Sequence, residues 1–168
     1  SINYPNYNTI VIDNASSDNS IDIIKTYSPK IEYITLEKNY GYAGGYNRCF
    51  DYLKDKKPGF LLLLNNDTQV NKSILHSFIN VVKQYGDNNI YGAKIFYKFK
   101  SNRIWYAGGK IKYNFLIYHR GIRDIDSEKY SMVSTTDYVT GCCLFTSWKT
   151  ILVLNGFDER FNTPNSPA

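Results

Sequence analysis

The chain has 168 residues, 43% of them hydrophobic, and a net charge of +5 with a sequence pI near 9.0. This length predicts a single soluble domain over residues 1–168, since no segment approaches the roughly 18 apolar residues of a membrane helix and no leader pattern opens the chain. The positive charge suits anionic partners such as nucleotides or anionic lipids, but the basic residues are scattered, which argues against a nucleic-acid-binding stripe.

The first half of the chain alternates predicted strands and helices. Such alternation is typical of an α/β fold with a mostly parallel sheet and right-handed crossovers. The expected elements are a strand at 9–12, a helix at 21–27, a strand at 31–36, a Gly-rich turn at 39–45, a helix ending before Pro58, a strand at 61–64 and a helix at 71–85.

The second half of the chain predicts further strands and one short helix. The expected elements are strands at 91–100, 111–118 and 138–145, a charged mobile loop at 119–131, a helix at 148–154 ended by a C-cap pair at 155–156, and an irregular tail at 162–168. The three cysteines, Cys49, Cys142 and Cys143, have neither disulfide-framework nor zinc-site spacing, so we expect buried, reduced thiols of a cytoplasmic protein.

The residues at 61–67 form the most informative stretch of the sequence. Four leucines run directly into Asn65, Asn66 and Asp67, which is typical of a buried strand with a carboxylate at its carboxyl end. Ligands bind at that edge of open α/β sheets, and a carboxylate there can bind Mg²⁺ or Mn²⁺ and through it a diphosphate. The alternative is that these residues only form a turn and cap the next helix.

Three polar loops are expected to meet at the carboxyl edge of the predicted sheet. An aspartate at a strand end can accept the imide N–H of uracil or thymine, an asparagine offers both a donor and an acceptor, and glycines let the backbone approach a ligand at a helix N-terminus that favours anions. The alternative is ordinary turn chemistry. The loops hold Asp13 and Asn14; Asn39, Gly41, Gly44 and Asn47; and Asn66 and Asp67.

Five segments in the expected order resemble the family 2 glycosyltransferases, with the DxD-type element in its rhamnosyltransferase-like form. They are two nucleotide-binding segments at 11–20 and 39–47, the metal-binding element at 63–68, and acceptor-side segments at 139–144 and 156–161.

The resemblance implies a GT-A-type fold, a Rossmann-like mostly parallel sheet flanked by helices. It implies inverting transfer from a UDP- or dTDP-sugar to a glycan or lipid-linked acceptor, in bacterial surface polysaccharide synthesis in the cytoplasm, at the inner face of the membrane. The implied roles are nucleotide-sugar binding for Asp13, Asn14, Asn39, Gly41, Gly44, Asn47 and Asn66, metal binding for Asp67, and an acceptor-side position for Gly141 and Asp158.

Two departures from the family pattern predict a domain truncated at both ends. The family normally has a strand and a helix before the segment matching residues 4–7, and an acidic pair containing the general base after Phe161, whereas residues 162–168 hold no carboxylate. Asp158 and Glu159 are weak substitutes for that base, so we expect this chain to be inactive alone.

An unpaired sheet edge would also favour homo-oligomers, and peripheral membrane association is compatible with the resemblance.

The principal alternative to a glycosyltransferase is a non-catalytic remnant that serves as a binding module. A nucleotidyltransferase of similar fold is a third hypothesis. It would need a Gly-rich loop with an Arg and a Lys near the start, and residues 1–20 contain neither Arg nor Lys.

Overall fold

The computed structural model describes residues 2–27 and 31–161 as an α/β protein made of two compact units. The N-terminal unit comprises residues 3–59 and the segment from residue 151 onward, and the central unit comprises residues 60–150 with Ile2. The single domain over 1–168 stays a prediction, and the tail at 162–168 lies outside the described residues.

The N-terminal unit is built on one strand–helix–strand crossover. Strand β1 (Ile10–Asp13) pairs in parallel with β2 (Glu32–Thr35), and helix α1 (Ser20–Tyr27) connects them. The β-branched run before Asp13 favours the extended backbone, and Asp18 Oδ1 accepts the Ser20 N–H at 2.9 Å where α1 begins. This register puts Asp13 opposite Thr35, so the carboxyl ends of both strands lie at the same edge.

Helix α2 (Gly41–Leu53) follows β2, and its start corrects the Gly-rich turn predicted over 39–45. Gly41 has a φ of 66°, in the left-handed region that glycine tolerates, but Gly44 and Gly45 are buried inside the helix. A Cβ on Gly45 would lie 3.4 Å from Asn14 Nδ2, within ordinary van der Waals contact, so this buried part of the helix packs on the loop that follows β1. The sequence could not distinguish glycines that bend the chain from glycines that pack.

The central unit contains seven strands and one complete helix in its described part. They are β3 (Phe60–Leu64), α3 (Ile74–Tyr85), β4 (Ile90–Gly92), β5 (Ile95–Tyr97), β6 (Lys100–Tyr106), β7 (Gly109–Ile111), β8 (Ile117–His119) and β9 (Cys143–Ser147). Helix α4 (Trp148–Leu154) begins at the end of this unit and continues into the next.

The core of the central unit lies on the sheet β3–β9–β4, whose strands are antiparallel. Phe145, in the middle of β9, is 2% exposed. Its ring stacks on Phe60 and Phe78 with centroid distances of 5.4 and 4.7 Å, which joins the sheet to α3. Burial of Phe145 therefore stabilises the packing of β9 against β3 and α3.

The mostly parallel sheet predicted from the sequence is not confirmed. Among the strands that the structure describes, β1–β2 is the parallel pair, and the sheets β3–β9–β4, β5–β6 and β7–β8 are antiparallel. Hydrophobic periodicity predicts that a segment is extended, but it carries no information on which distant strand will pair with it.

Several predicted elements of the second half differ in their extent. The strand expected at 91–100 is two short strands, β4 and β5, and β6 was not predicted. The strand at 111–118 is the β7–β8 hairpin, and the strand at 138–145 is regular only from Cys143. Tight turns inside apolar stretches account for these errors, because the apolar pattern continues through the turn and predicts one unbroken strand.

The helix predicted at 148–154 is confirmed, and the prediction of three buried thiols is confirmed for two of them. The helix expected at 148–154 is α4, and the residues after it, Asn155 and Gly156, have φ values of 56° and 76°, as in a C-terminal helix cap. Cys49 and Cys143 are buried free thiols, and burial raises the pKa of each to about 11, whereas Cys142 is half-buried.

In the part of the chain that the structure describes, no helix has the length and apolar character needed to span a bilayer.

Candidate functional site

Asp13, the last residue of β1, is a buried carboxylate that is only partly hydrogen-bonded. Its side chain is 3% exposed, and Oδ1 accepts the Ser16 N–H at 3.3 Å. Oδ2 is buried and has no hydrogen-bond partner among the described residues. Leaving a buried acceptor unsatisfied costs about 1–3 kcal/mol, and a ligand N–H at this oxygen would remove that cost.

Asn14 binds the second predicted loop with its whole side chain. Its Oδ1 accepts the Tyr40 N–H at 2.9 Å, and its Nδ2 donates to Asn39 Oδ1 and to the Gly41 carbonyl, both at 3.0 Å. The first and second predicted loops therefore meet, as expected from the sequence. Since both amide hydrogens and the oxygen of Asn14 are engaged, the side chain positions the loop at 39–41.

Asn39 has its acceptor occupied and its donor available. Besides Asn14, its Oδ1 accepts the Gly41 N–H at 2.8 Å, a local turn at the start of α2. No hydrogen bond within the described residues engages its Nδ2. The sequence predicted that Asn39 offers a ligand both a donor and an acceptor, and within the described residues the Nδ2 donor is the one that is available.

Asn47, on α2, is a second backbone clamp. Its Oδ1 accepts the Phe157 N–H at 2.8 Å, and its Nδ2 donates to the Phe157 carbonyl and to Glu159 Oε1, both at 2.9 Å. A Cβ on Gly156 would lie 2.4 Å from Asn47 Oδ1, so glycine is required at this close approach. These contacts give Asn47 a positioning role within the N-terminal unit, and nucleotide contact by its side chain stays a prediction.

Arg48 is a functional candidate that the sequence analysis missed. Its Nη1 donates to the Gly44 carbonyl at 3.0 Å and lies 3.2 Å from Glu159 Oε1, and its guanidinium carbon is 3.3 Å from the centre of the Tyr40 ring. The sequence could have identified Arg48 by its position four residues after Gly44, which places both residues on one face of the helix. Arg48 therefore holds a positive charge beside the loop that Asn14 clamps.

The two weak candidates for the general base are both engaged. Glu159 Oε1 accepts from Asn47 and Arg48. Both oxygens of Asp158 accept from Arg160, with Nη2 2.6 Å from Oδ2, and these hydrogen bonds hold the pKa of Asp158 below its usual range. A carboxylate with a lowered pKa is a weaker base, so Asp158 is poorly suited to proton abstraction.

Asn66 and Asp67 lie in an exposed turn of the central unit, directly after β3. The Asn65 N–H donates to the Cys142 carbonyl at 3.2 Å, and the Thr68 N–H donates to the Asn65 carbonyl at 3.1 Å. These residues therefore form a turn, and they do not cap the next helix, because α3 begins after Ser73. Metal binding by Asp67 stays a prediction. The pairing of Asn65 with Cys142 also brings the turn beside Gly141, the predicted acceptor-side residue.

The side chains of this turn carry oxygen atoms of the kind that divalent cations prefer. Asp67 contributes an exposed carboxylate, and the neighbouring Asn65 and Asn66 contribute exposed amide oxygens. No cluster of three or more His, Cys, Asp or Glu side chains occurs among the described residues. This set fits Mg²⁺ or Mn²⁺, which proteins often hold with one or two carboxylates while substrate phosphates complete the shell.

The sequence profile of glycosyl transferase family 2 matches residues 1–145. No curated protein and no solved structure gives a significant match to the chain. The family match covers most of the chain and includes Asp13, the loop at 39–47 and Asp67, so this protein belongs to glycosyl transferase family 2.

Proposed function

We propose that the chain binds a uracil or thymine nucleoside-diphosphate sugar and transfers a hexosyl or rhamnosyl group, with inversion, to a glycan or lipid-linked acceptor. Family membership supports glycosyl transfer, and it favours a GT-A-type arrangement of the donor site. The proposed setting is bacterial surface polysaccharide synthesis in the cytoplasm, at the inner face of the membrane.

The observation that carries the donor proposal is the unpartnered Oδ2 of Asp13. A buried acceptor oxygen selects a ligand with a donor at the matching position, and the imide N–H of uracil or thymine is such a donor. Cytosine has a ring acceptor at the equivalent nitrogen and would leave the carboxylate unsatisfied. The clamp from Asn14 to Asn39 and Gly41 holds the neighbouring loop, with the Asn39 Nδ2 as a further donor for the nucleotide.

Titration calorimetry with UDP, dTDP and CDP in the presence of Mn²⁺ tests this proposal. Binding of UDP or dTDP in preference to CDP is the expected result. Absence of heat with UDP and dTDP would contradict the donor site. Equal affinity for all three nucleotides would contradict base recognition by Asp13.

The second part of the proposal concerns Asp67, which would hold Mg²⁺ or Mn²⁺ against the donor diphosphate. The cation, when bound, neutralises charge that develops on the leaving nucleoside diphosphate. Asp67 is suited to this role because it is exposed, lies three residues after the end of the largely half-buried strand β3, and belongs to a turn whose Asn65 N–H donates to the Cys142 carbonyl.

We expect Asp67→Ala to bind UDP about tenfold more weakly than the native chain in Mn²⁺, equivalent to about 1.4 kcal/mol. In EDTA the two proteins should bind UDP equally, because the cation then contributes nothing. Calorimetry in both buffers measures this difference. Asp87→Asn, which removes another exposed carboxylate of the central unit, is the matched control and should behave as native. Equal UDP affinity of Asp67→Ala and native protein in Mn²⁺ would refute the assignment.

A second candidate function is donor binding without sugar transfer, as a binding module. The pairing of Asp158 with Arg160 and the hydrogen bonds from Asn47 and Arg48 to Glu159 Oε1 favour it, because both carboxylates make structural contacts. Mass spectrometry of a reaction with UDP-sugar and a lipid-linked glycan acceptor separates the two functions. A glycosylated product supports the transferase, whereas nucleotide binding without product supports the module.

A further inference from the structure

The β7–β8 hairpin of the central unit ends in a tight, well-defined loop. The Phe115 N–H donates to the Lys112 carbonyl at 2.8 Å, and the Lys112 N–H donates to the Leu116 carbonyl at 2.9 Å. This is a turn followed by one residue in the left-handed conformation, a common hairpin closure. These two hydrogen bonds therefore hold the loop between the strands in a defined backbone conformation.

Phe115 occupies the left-handed position of that loop, with a φ of 62°. Glycine and asparagine are the residues that adopt this conformation readily, and a bulky side chain there is disfavoured. The Phe115 side chain is also 86% exposed, so packing within the described residues does not compensate for the strain. Backbone physics and core packing both argue against phenylalanine here, which indicates a role outside the folded chain.

The rest of the tip is apolar and exposed as well. Tyr113 is 96% exposed, Leu116 58% and Ile117 65%. Together with Phe115 they lie within residues 113–117 at the end of the hairpin, where Asn114 is the one polar residue, and we call these four side chains the apolar tip. Single exposed apolar residues are ordinary on protein surfaces, but a cluster of large ones at one projecting end marks an interaction site.

The charged residues within the hairpin itself are basic, and Asp137 alongside it contacts Lys110 and the Ile111 N–H. Residues 109–123 contain Lys110, Lys112, Arg120 and Arg123 and no Asp or Glu. Lys110 is offset by Asp137, whose Oδ1 is 3.3 Å from its Nζ, and Arg120 is held by the Ser134 hydroxyl at 3.0 Å. Lys112, at the base of the loop, is exposed, with its Nζ 5.3 Å from the Tyr118 ring centre.

From these observations we propose that the β7–β8 hairpin docks the chain on an anionic lipid bilayer, with the apolar tip entering the headgroup region. Aromatic and aliphatic side chains at a projecting tip partition into the boundary between headgroups and acyl chains, and basic residues behind them meet anionic phosphates. Tyr113 and Tyr118 suit the interface, since each has an apolar ring and a polar hydroxyl. An uncharged apolar protein groove would accept the tip but offers no anionic partner for the exposed Lys112.

Vesicle co-sedimentation tests this docking, with phosphatidylcholine vesicles prepared with and without phosphatidylglycerol. The native chain should bind the anionic vesicles, bind neutral ones more weakly, and dissociate as salt is raised. Phe115→Asn should bind about tenfold more weakly, because it loses an aromatic side chain from the interface. Lys112→Gln should bind about fivefold more weakly to anionic vesicles and unchanged to neutral ones.

The controls separate docking from folding. Phe115→Asn and Phe115→Gly should melt at the native temperature or above it, because both relieve the left-handed strain. Val153→Ser removes an exposed apolar side chain of α4 and should leave vesicle binding unchanged. A native chain that fails to sediment, or a Phe115→Asn variant that sediments like native, would overturn the proposal. The proposal would also be overturned if the native chain dimerised without binding vesicles and Phe115→Asn lost that dimerisation. That result would assign the tip to contact with a second copy of the chain.

Discussion

Replacing Asp13 with asparagine should stabilise the fold and at the same time weaken UDP binding. The carboxylate is buried, and its Oδ2 has no partner among the described residues, so the folded state bears the desolvation of a charged group. A neutral amide of the same shape lowers that cost, and we expect the free energy of unfolding to rise by about 1 kcal/mol. Urea denaturation of both proteins measures this change.

The same substitution should alter which base the site prefers. In Asp13→Asn, an amide that keeps its oxygen toward Ser16 would place an N–H donor where Oδ2 now lies, facing the donor of uracil. Opposed donors in a buried site cost about 1–3 kcal/mol, so UDP affinity should fall about 10- to 100-fold while CDP affinity is maintained or rises. Calorimetry with UDP and CDP on the native and variant chains gives the selectivity ratio directly.

The matched control for this experiment is Asp55→Asn. It removes one exposed carboxylate from the same unit and therefore reproduces the change in net charge toward an anionic ligand. Asp55→Asn should keep native stability and native preference for UDP. Loss of stability together with unchanged base selectivity in Asp13→Asn would show that Asp13 has a structural role only.

Replacing Asn14 with alanine should produce the largest loss of stability in the N-terminal unit. The variant loses three hydrogen bonds, to Tyr40 N–H, Asn39 Oδ1 and the Gly41 carbonyl, and leaves their partners without them. At about 1 kcal/mol for each hydrogen bond, the free energy of unfolding should fall by about 3 kcal/mol. Chemical denaturation followed by circular dichroism measures the loss.

The Asn14 substitution should also weaken UDP binding indirectly, because the loop at 39–41 loses the clamp that positions it. Asn88→Ala, an exposed asparagine of the central unit, is the control and should change stability by no more than about 0.5 kcal/mol. A double-mutant cycle with Asn39→Ala separates the side-chain pair from the two backbone contacts. An Asn14→Ala chain as stable as native would show that these hydrogen bonds add nothing net to folding.

The sequence correctly predicted the positions of the local features of the candidate site. A β-branched run ending in Asp13 predicted β1, and the run of leucines before Asn65 predicted β3, because burial and backbone preference are properties of short segments. The clustering of Asn14 with Asn39 and Gly41 followed from the parallel β1–β2 unit, which the strand–helix–strand pattern correctly indicated.

Residue roles were harder to predict than residue positions. Nucleotide contact by Asn14 and Asn47 stays a prediction, but the sequence did not reveal that their amides hold backbone segments, at 39–41 and at Phe157. An amide side chain suits a ligand and a backbone equally well, since it offers the same donor and acceptor to each. Only the placement of Phe157 against α2, 110 residues away from Asn47 in the chain, decides which partner that amide finds.

Local sequence was enough to establish that the chain is α/β and that segments of the family 2 pattern occur in order. It also placed Asp13 at the end of one strand and Asp67 just after the end of another. Packing of the folded chain set the antiparallel pairing of β3 with β9, the unpartnered oxygen of Asp13 and the exposed tip at Phe115. The physical reason is the range of the interactions involved. Propensity and periodicity act within one element, whereas strand partners, burial and hydrogen-bond satisfaction depend on residues that only the folded chain brings together.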